Sequence, residues 1–167
     1  MSAPIPRDRG LPAAIARVDE VLSRPEYPTG DRAAMRRMAP GQARPLSFYR
    51  FALRALPDGW DRDRATLESW ATIVAGIALM GPHAHRRDRR LGLALAEADY
   101  AEARLERLLG TGGDAAYTVV LRTARFLAAK SAPCNWVELA QLLLLRQADR
   151  RDDLAMRIAR DFYAPRA

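Results

Sequence analysis

Cysteine is nearly absent from this 167-residue chain: Cys134 stands alone, which excludes an internal disulfide framework and fits a reducing cytosol. Lysine is nearly absent too. Lys130 is the one lysine among 27 basic residues, so the rest are arginine. No apolar run is long enough to cross a bilayer, since the longest extends from Trp70 to Gly81 and is interrupted by Thr72. The opening MSAPIPRDRG has no apolar core, so no secretory leader is expected, and the chain reads as cytoplasmic. β-Branched residues are scarce and no segment alternates with period two, which argues against a sheet.

What is present is helical periodicity, punctuated by Pro- and Gly-containing breaks at Pro25–Gly30, Pro40–Pro45, Pro57–Gly59, Gly81–Pro82, Gly110–Gly113 and Ala132–Pro133. Between the breaks, apolar residues recur every three or four positions. Leu11–Ser23 aligns Ile15, Val18 and Leu22, and Asp31 is positioned to cap a short helix reaching Ala39. Leu46–Leu56 gathers Phe48, Phe51, Ala52 and Ala55. Arg64–Met80 is the most apolar segment and is expected to be central. Leu91–Glu97 and Ala101–Leu109 follow; Asp114 is placed to cap a helix to Lys130, and Asn135 one over Trp136–Gln147; Asp152–Tyr163 closes the chain. The expected fold is one all-α domain over residues 1–167, a compact bundle of about eight or nine helices.

The charge is the unusual quantity: a net charge of +7 and a pI near 10.4, in a chain otherwise of ordinary composition. Arginine's planar fork matches phosphate oxygens in pairs and stays charged at any cellular pH. From Asp31 to Arg54 six arginines (Arg32, Arg36, Arg37, Arg44, Arg50, Arg54) face one acid, and from Ala115 to Pro133 Arg122, Arg125 and Lys130 face none. Like charges at helical spacing repel unless a polyanion or a partner surface neutralises them. Elsewhere, as in Glu97–Arg107 and Asp149–Asp161, mixed signs suggest an ordinary solvated face. The candidate nucleic-acid contacts are therefore Arg32, Arg36, Arg37, Arg50, Arg122, Arg125 and Lys130.

Chemistry is harder to find. His83 and His85 are flanked by arginines, but a metal site needs three or four ligands and Cys134 is the one obvious addition, so neither a metal nor another cofactor is expected. Gly110-Thr111-Gly112-Gly113 lacks the ending of a phosphate loop, and no nucleophile elbow or zinc-protease motif occurs. No catalytic residue is assigned. Trp70 and Trp136 lie in apolar segments and are expected in the core; Trp60 is open, and Tyr49 is the aromatic most suited to exposure.

The order of several short motifs resembles the CasB family, the small subunit of the type I-E CRISPR Cascade complex. They are GDRAAMRRMA at 30–39, Phe48-Tyr49-Arg50, WATIVAGIALM from Trp70, Leu91-Gly92-Leu93-Ala94-Leu95, RLERLL from Arg104, Asn135-Trp136 with its leucines, and Arg160-Asp161-Phe162-Tyr163. Asn135 stands where the family commonly has Asp, Ile158 where a tryptophan is common, and the His-Arg loop is no family mark. The resemblance implies a non-enzymatic subunit, without cofactor or membrane partner. It implies contacts with other Cascade subunits around the guide RNA, with a second copy of itself packed head to tail, and with the displaced DNA strand of the R-loop. It favours Arg32, Arg36, Arg37 and Arg50 as basic positions. The competing readings are an adaptor binding only protein neighbours and, further off, a stand-alone helical transcription factor, for which no helix-turn-helix pair stands out.

Overall fold

Arg64–Met80 is apolar on nearly every side, and such a helix is stable only when other helices cover it all round. In the computed structural model, which describes residues 7–165 and the side chains of residues 10–165, this is the case. The opening MSAPIP stretch, where no leader is expected, lies outside the described residues.

Nine helices and no strand are formed among the described residues: α1 Arg7–Ser23, α2 Thr29–Arg36, α3 Leu46–Ala55, α4 Arg64–Met80, α5 Leu91–Glu97, α6 Glu102–Gly110, α7 Asp114–Ala129, α8 Trp136–Leu144 and α9 Ala148–Tyr163. The expected all-α bundle is what the chain forms. Helix α4 is sheathed by α1, α2, α7 and α8, while α3 packs on α1 and α2, α6 on α7, and α5 on α9. One hydrophobic cluster runs through all of these contacts. Ile73, Ile77, Leu91, Leu95 and Leu127 are among its fully buried members, each stabilising the fold by about 1.5–3 kcal/mol through removal of its side chain from water.

The ends of α4 explain its boundaries. Asp63 accepts a hydrogen bond from the Thr66 amide at 2.8 Å, and Gly81 takes a positive φ of 82° that stops the helix at the least steric cost. Arg146, from the α8–α9 connection, donates to Asp63 and to the Thr66 hydroxyl, both at 2.8 Å. That guanidinium and the cap together hold the Asp63 carboxyl well below the usual carboxylate range. Midway along α4, a Cβ on Gly76 would stand 2.3 Å from Trp136 Cη2. Trp136 is fully buried on the bare backbone there, its indole N–H donating to Met80 Sδ at 3.2 Å.

Several boundaries differ from expectation. Helix α2 stops at Arg36 instead of Ala39, because Pro40 disfavours helical backbone at the preceding residue. Asp31 is not its cap; Pro28 holds that position without a side-chain bond, and Asp31 lies in the first turn. Gly113, not Asp114, precedes α7, again without a side-chain cap. Asn135 does cap α8, accepting from the Val137 amide at 3.0 Å. Helix α9 begins four residues earlier than Asp152. Trp70 and Trp136 are core residues, as expected, and Trp60 is half-buried with its ring edge-on to Phe48 at 5.9 Å.

Candidate nucleic-acid interface

On α6, Leu105 and Leu108 point into the core, which turns Arg104 and Arg107 outward one turn apart. On α7, Thr123, Ala124 and Leu127 are buried, which turns Arg122 and Arg125 outward in the same way. The two pairs meet across a groove of about 430 Å³ lined by Arg104, Arg107, Arg122 and Arg125 together with Tyr100, Val119 and Phe126. No carboxylate lines it. Among the described residues none of the four guanidiniums makes an ion pair.

The floor is rigid. The Thr123 hydroxyl donates to the Val119 carbonyl at 3.0 Å, so the buried Tyr100 hydroxyl is the donor in its 3.0 Å bond to Thr123 Oγ1. The Tyr100 ring meets Phe126 edge to face at 4.9 Å. Phe126 is half-buried, and the Arg104 guanidinium and the Lys130 ammonium each lie 5.8 Å from its centroid. Such contacts hold cations in place for about 0.5–1 kcal/mol at exposed sites. The groove thus brings Arg122 and Arg125, both candidates from the sequence, together with Arg104 and Arg107, which were read there as part of a solvated mixed-sign face, while the candidate Lys130 reaches it through the Phe126 ring. Charge periodicity would have separated them. Glu102 and Glu106 are four apart on one side of α6, whereas Arg104 and Arg107 occupy the other.

The remaining candidates lie on α2 and α3 and differ from one another. Arg36 and Arg37 are exposed and make no side-chain bond or ion pair among the described residues. Arg50 is exposed but pairs with Asp31 at 3.3 Å; Tyr49 beside it is 37% exposed. Arg32 is turned inward: its Nε donates to the Leu22 carbonyl at 3.0 Å and its Nη2 to the Arg24 carbonyl at 2.9 Å, with the guanidinium over Tyr27. It therefore neutralises carbonyls at the end of α1, where a cation also suits the helix dipole. Replacing Arg32 by Ala is expected to lower unfolding free energy by about 1–3 kcal/mol, measured by urea denaturation, while leaving the salt dependence of nucleic-acid binding unchanged.

The His-Arg loop is pinned, not free. Cys134 N donates to the Ala84 carbonyl at 3.1 Å and Arg86 N to the Cys134 carbonyl at 2.9 Å, while the Trp136 amide donates to His85 Nδ1 at 3.0 Å. Burial pushes the His85 imidazole below its ordinary pKa and the Cys134 thiol far above its own. Among the described residues no group of three or more His, Cys, Asp or Glu side chains is placed to hold a metal. Arg86, Arg89 and Arg90 are paired with Asp88, Glu97 and Asp161. No helix among the described residues is long and apolar enough to cross a membrane.

Residues 31–163, which include the groove and all of the sequence candidates, match the family model described as CRISPR-associated protein Cse2. No curated protein and no solved structure matches the chain.

Proposed function

Since the chain belongs to the CRISPR-associated Cse2 family, we propose that it serves as the non-catalytic small subunit of a type I-E Cascade complex and holds the displaced DNA strand in its α6–α7 groove. The observation that carries this is the groove's lining: four arginines with no carboxylate around a half-exposed Phe126. Each guanidinium presents paired donors to phosphate oxygens, so the grip follows the backbone and reads no sequence. Phe126 offers a single ring on which a base can stack. A duplex presents stacked, inaccessible bases, whereas a displaced strand does not. Arg36 and Arg37 supply a second set of unpaired cations, on α2 and its C-terminal edge.

The mechanism is energetic rather than chemical. Guide pairing exchanges one duplex for another of similar stability, so contacts to the displaced strand tip the balance toward the open R-loop. The neighbouring partners in this reading are the guide-RNA-containing backbone subunits and a second copy of this chain, which extends the basic track.

The adaptor reading has its own support in the Arg50–Asp31 pair, which shows arginines of this surface already engaged with protein carboxylate. Charge reversal of Arg36 and Arg37 to glutamate in the assembled complex separates the two. Intact assembly with weakened R-loop formation, read by footprinting of the displaced strand, is the outcome the strand grip requires. Failure to assemble assigns these arginines to protein neighbours.

A further inference from the structure

At the α6–α7 groove five cations gather about one aromatic ring. Arg104 and Arg107 of α6, Arg122 and Arg125 of α7, and Lys130 at the end of α7 make no ion pair among the described residues. A phosphate monoester carries at most about two negative charges, so these side chains call for more than one phosphate group. Between them stands Phe126, half-buried, with the Arg104 guanidinium and the Lys130 ammonium each 5.8 Å from its centroid. The groove's volume of about 430 Å³ falls within the roughly 300–1,000 Å³ of small-ligand sites.

The ring is braced from below. Buried Tyr100 meets it edge to face at 4.9 Å and is itself fixed at both ends. Its hydroxyl bonds Thr123 Oγ1 at 3.0 Å, and its amide donates to the Leu95 carbonyl at 3.0 Å. Asp99, immediately before it, takes a positive φ of 61°, a conformation that residues with side chains keep only where the surroundings impose it. An inorganic polyanion would use the cations alone and leave this braced aromatic without a part. A base uses it, because every base has a flat face that stacks on a ring. Cation–π contacts are weak at an exposed site, whereas paired, charge-assisted hydrogen bonds to phosphate are among the strong ones. An arriving phosphate therefore draws the Arg104 guanidinium off the ring, and the face it leaves is open to the base.

We propose that the groove is a site for a single nucleotide carrying two phosphate groups, with its base on Phe126 and its phosphates on the arginines of the two walls. This takes the strand-grip reading as its starting point and deepens it. A strand enters the groove one nucleotide deep, with the phosphate on either side of that nucleotide neutralised. A free nucleoside bisphosphate carries the same chemistry, so soluble nucleotides of this form compete with the strand for the groove.

The test is calorimetric titration of the full chain with a nucleoside bisphosphate (thymidine phosphorylated on both sugar hydroxyls) and with inorganic pyrophosphate. The bisphosphate is expected to bind one to one and about ten-fold more tightly than pyrophosphate, the contribution of one stacked base. Phe126→Leu is expected to remove that excess while pyrophosphate binds as it does to the wild type, which also shows that the variant is folded. Arg104→Gln combined with Arg107→Gln is expected to weaken both probes about ten-fold or more. Displacement of a labelled oligothymidine strand then separates the two sources of nucleotide. A bisphosphate that displaces the strand, and displaces it less well from Phe126→Leu, is the expected result. Pyrophosphate that binds as tightly as the bisphosphate, or a bisphosphate affinity undiminished in Phe126→Leu, overturns the nucleotide site. A strand that binds with steep salt dependence but is not displaced also overturns it, and leaves the strand grip standing. A bisphosphate that binds where the strand does not upholds the nucleotide site and removes the strand grip. Binding of neither overturns both.

Discussion

Reversing Arg122 and Arg125 to glutamate is expected to weaken binding of single-stranded DNA by the purified chain about 30-fold or more at 0.1 M salt. Each phosphate contact on a single strand contributes about 0.7 to the slope of log affinity against log salt, which at that salt is roughly a five-fold gain from released counterions. Two lost contacts therefore reduce the slope by about 1.4, and the new carboxylates add repulsion on top. Both side chains are exposed and unpaired, so no ion pair within the fold is lost and stability is expected to change by less than about 0.5 kcal/mol. The measurement is a salt titration by fluorescence anisotropy with oligonucleotides of two unrelated sequences. A slope that stays at the wild-type value removes the groove from the binding surface. Phe126→Leu adds a sharper contrast: it leaves the slope unchanged and reduces the preference for single strand over duplex, because only the stacking platform is lost.

That groove was half legible in the sequence. The acid-free stretch of α7 announced Arg122, Arg125 and Lys130, because nothing in the chain nearby neutralises them. Arg104 and Arg107 were hidden by Glu102 and Glu106, since signs that alternate along the chain are sorted onto opposite faces once the helix winds. Arg32 is the reverse case, a side chain whose bonding partners the sequence did not reveal. Its place in the arginine-rich stretch made it a candidate contact, yet the end of α1 lies within reach and its carbonyls bind the guanidinium. No local pattern reveals that contact, because it joins residues of two helices across a turn. By contrast α4 was legible to the residue, for its boundaries are set locally by Asp63 and Gly81 and its burial by an apolar surface with no polar side. Asp31 and Asp114 have the residue type of a cap but not the position, because the preceding backbone had already entered the helix or its turn.

The largest expected effect on stability comes from the smallest residue in the α5–α9 contact. Gly92 lies inside α5, where alanine would ordinarily gain about 1 kcal/mol of helix propensity. A Cβ at this position would instead stand 2.1 Å from the Ile158 carbonyl oxygen, 2.8 Å from Asp161 Cβ and 2.8 Å from the Phe162 amide nitrogen. Two of those three atoms are backbone of α9, so no side-chain rotation relieves the overlap and the helices must separate. Separation loosens Ile158 and Leu154, both buried, and stretches the Arg90–Asp161 pair at 3.2 Å. Overpacking of a tight core costs about 1–3 kcal/mol or more, which exceeds the propensity gain and fixes the sign. Gly92→Ala is therefore expected to lower the melting temperature by several degrees, measured by circular dichroism, whereas Gly30→Ala on α2, with nothing within 4 Å of its Cβ, is expected to raise it slightly. If Gly92→Ala proves as benign as Gly30→Ala, α5 and α9 are not in the close contact described.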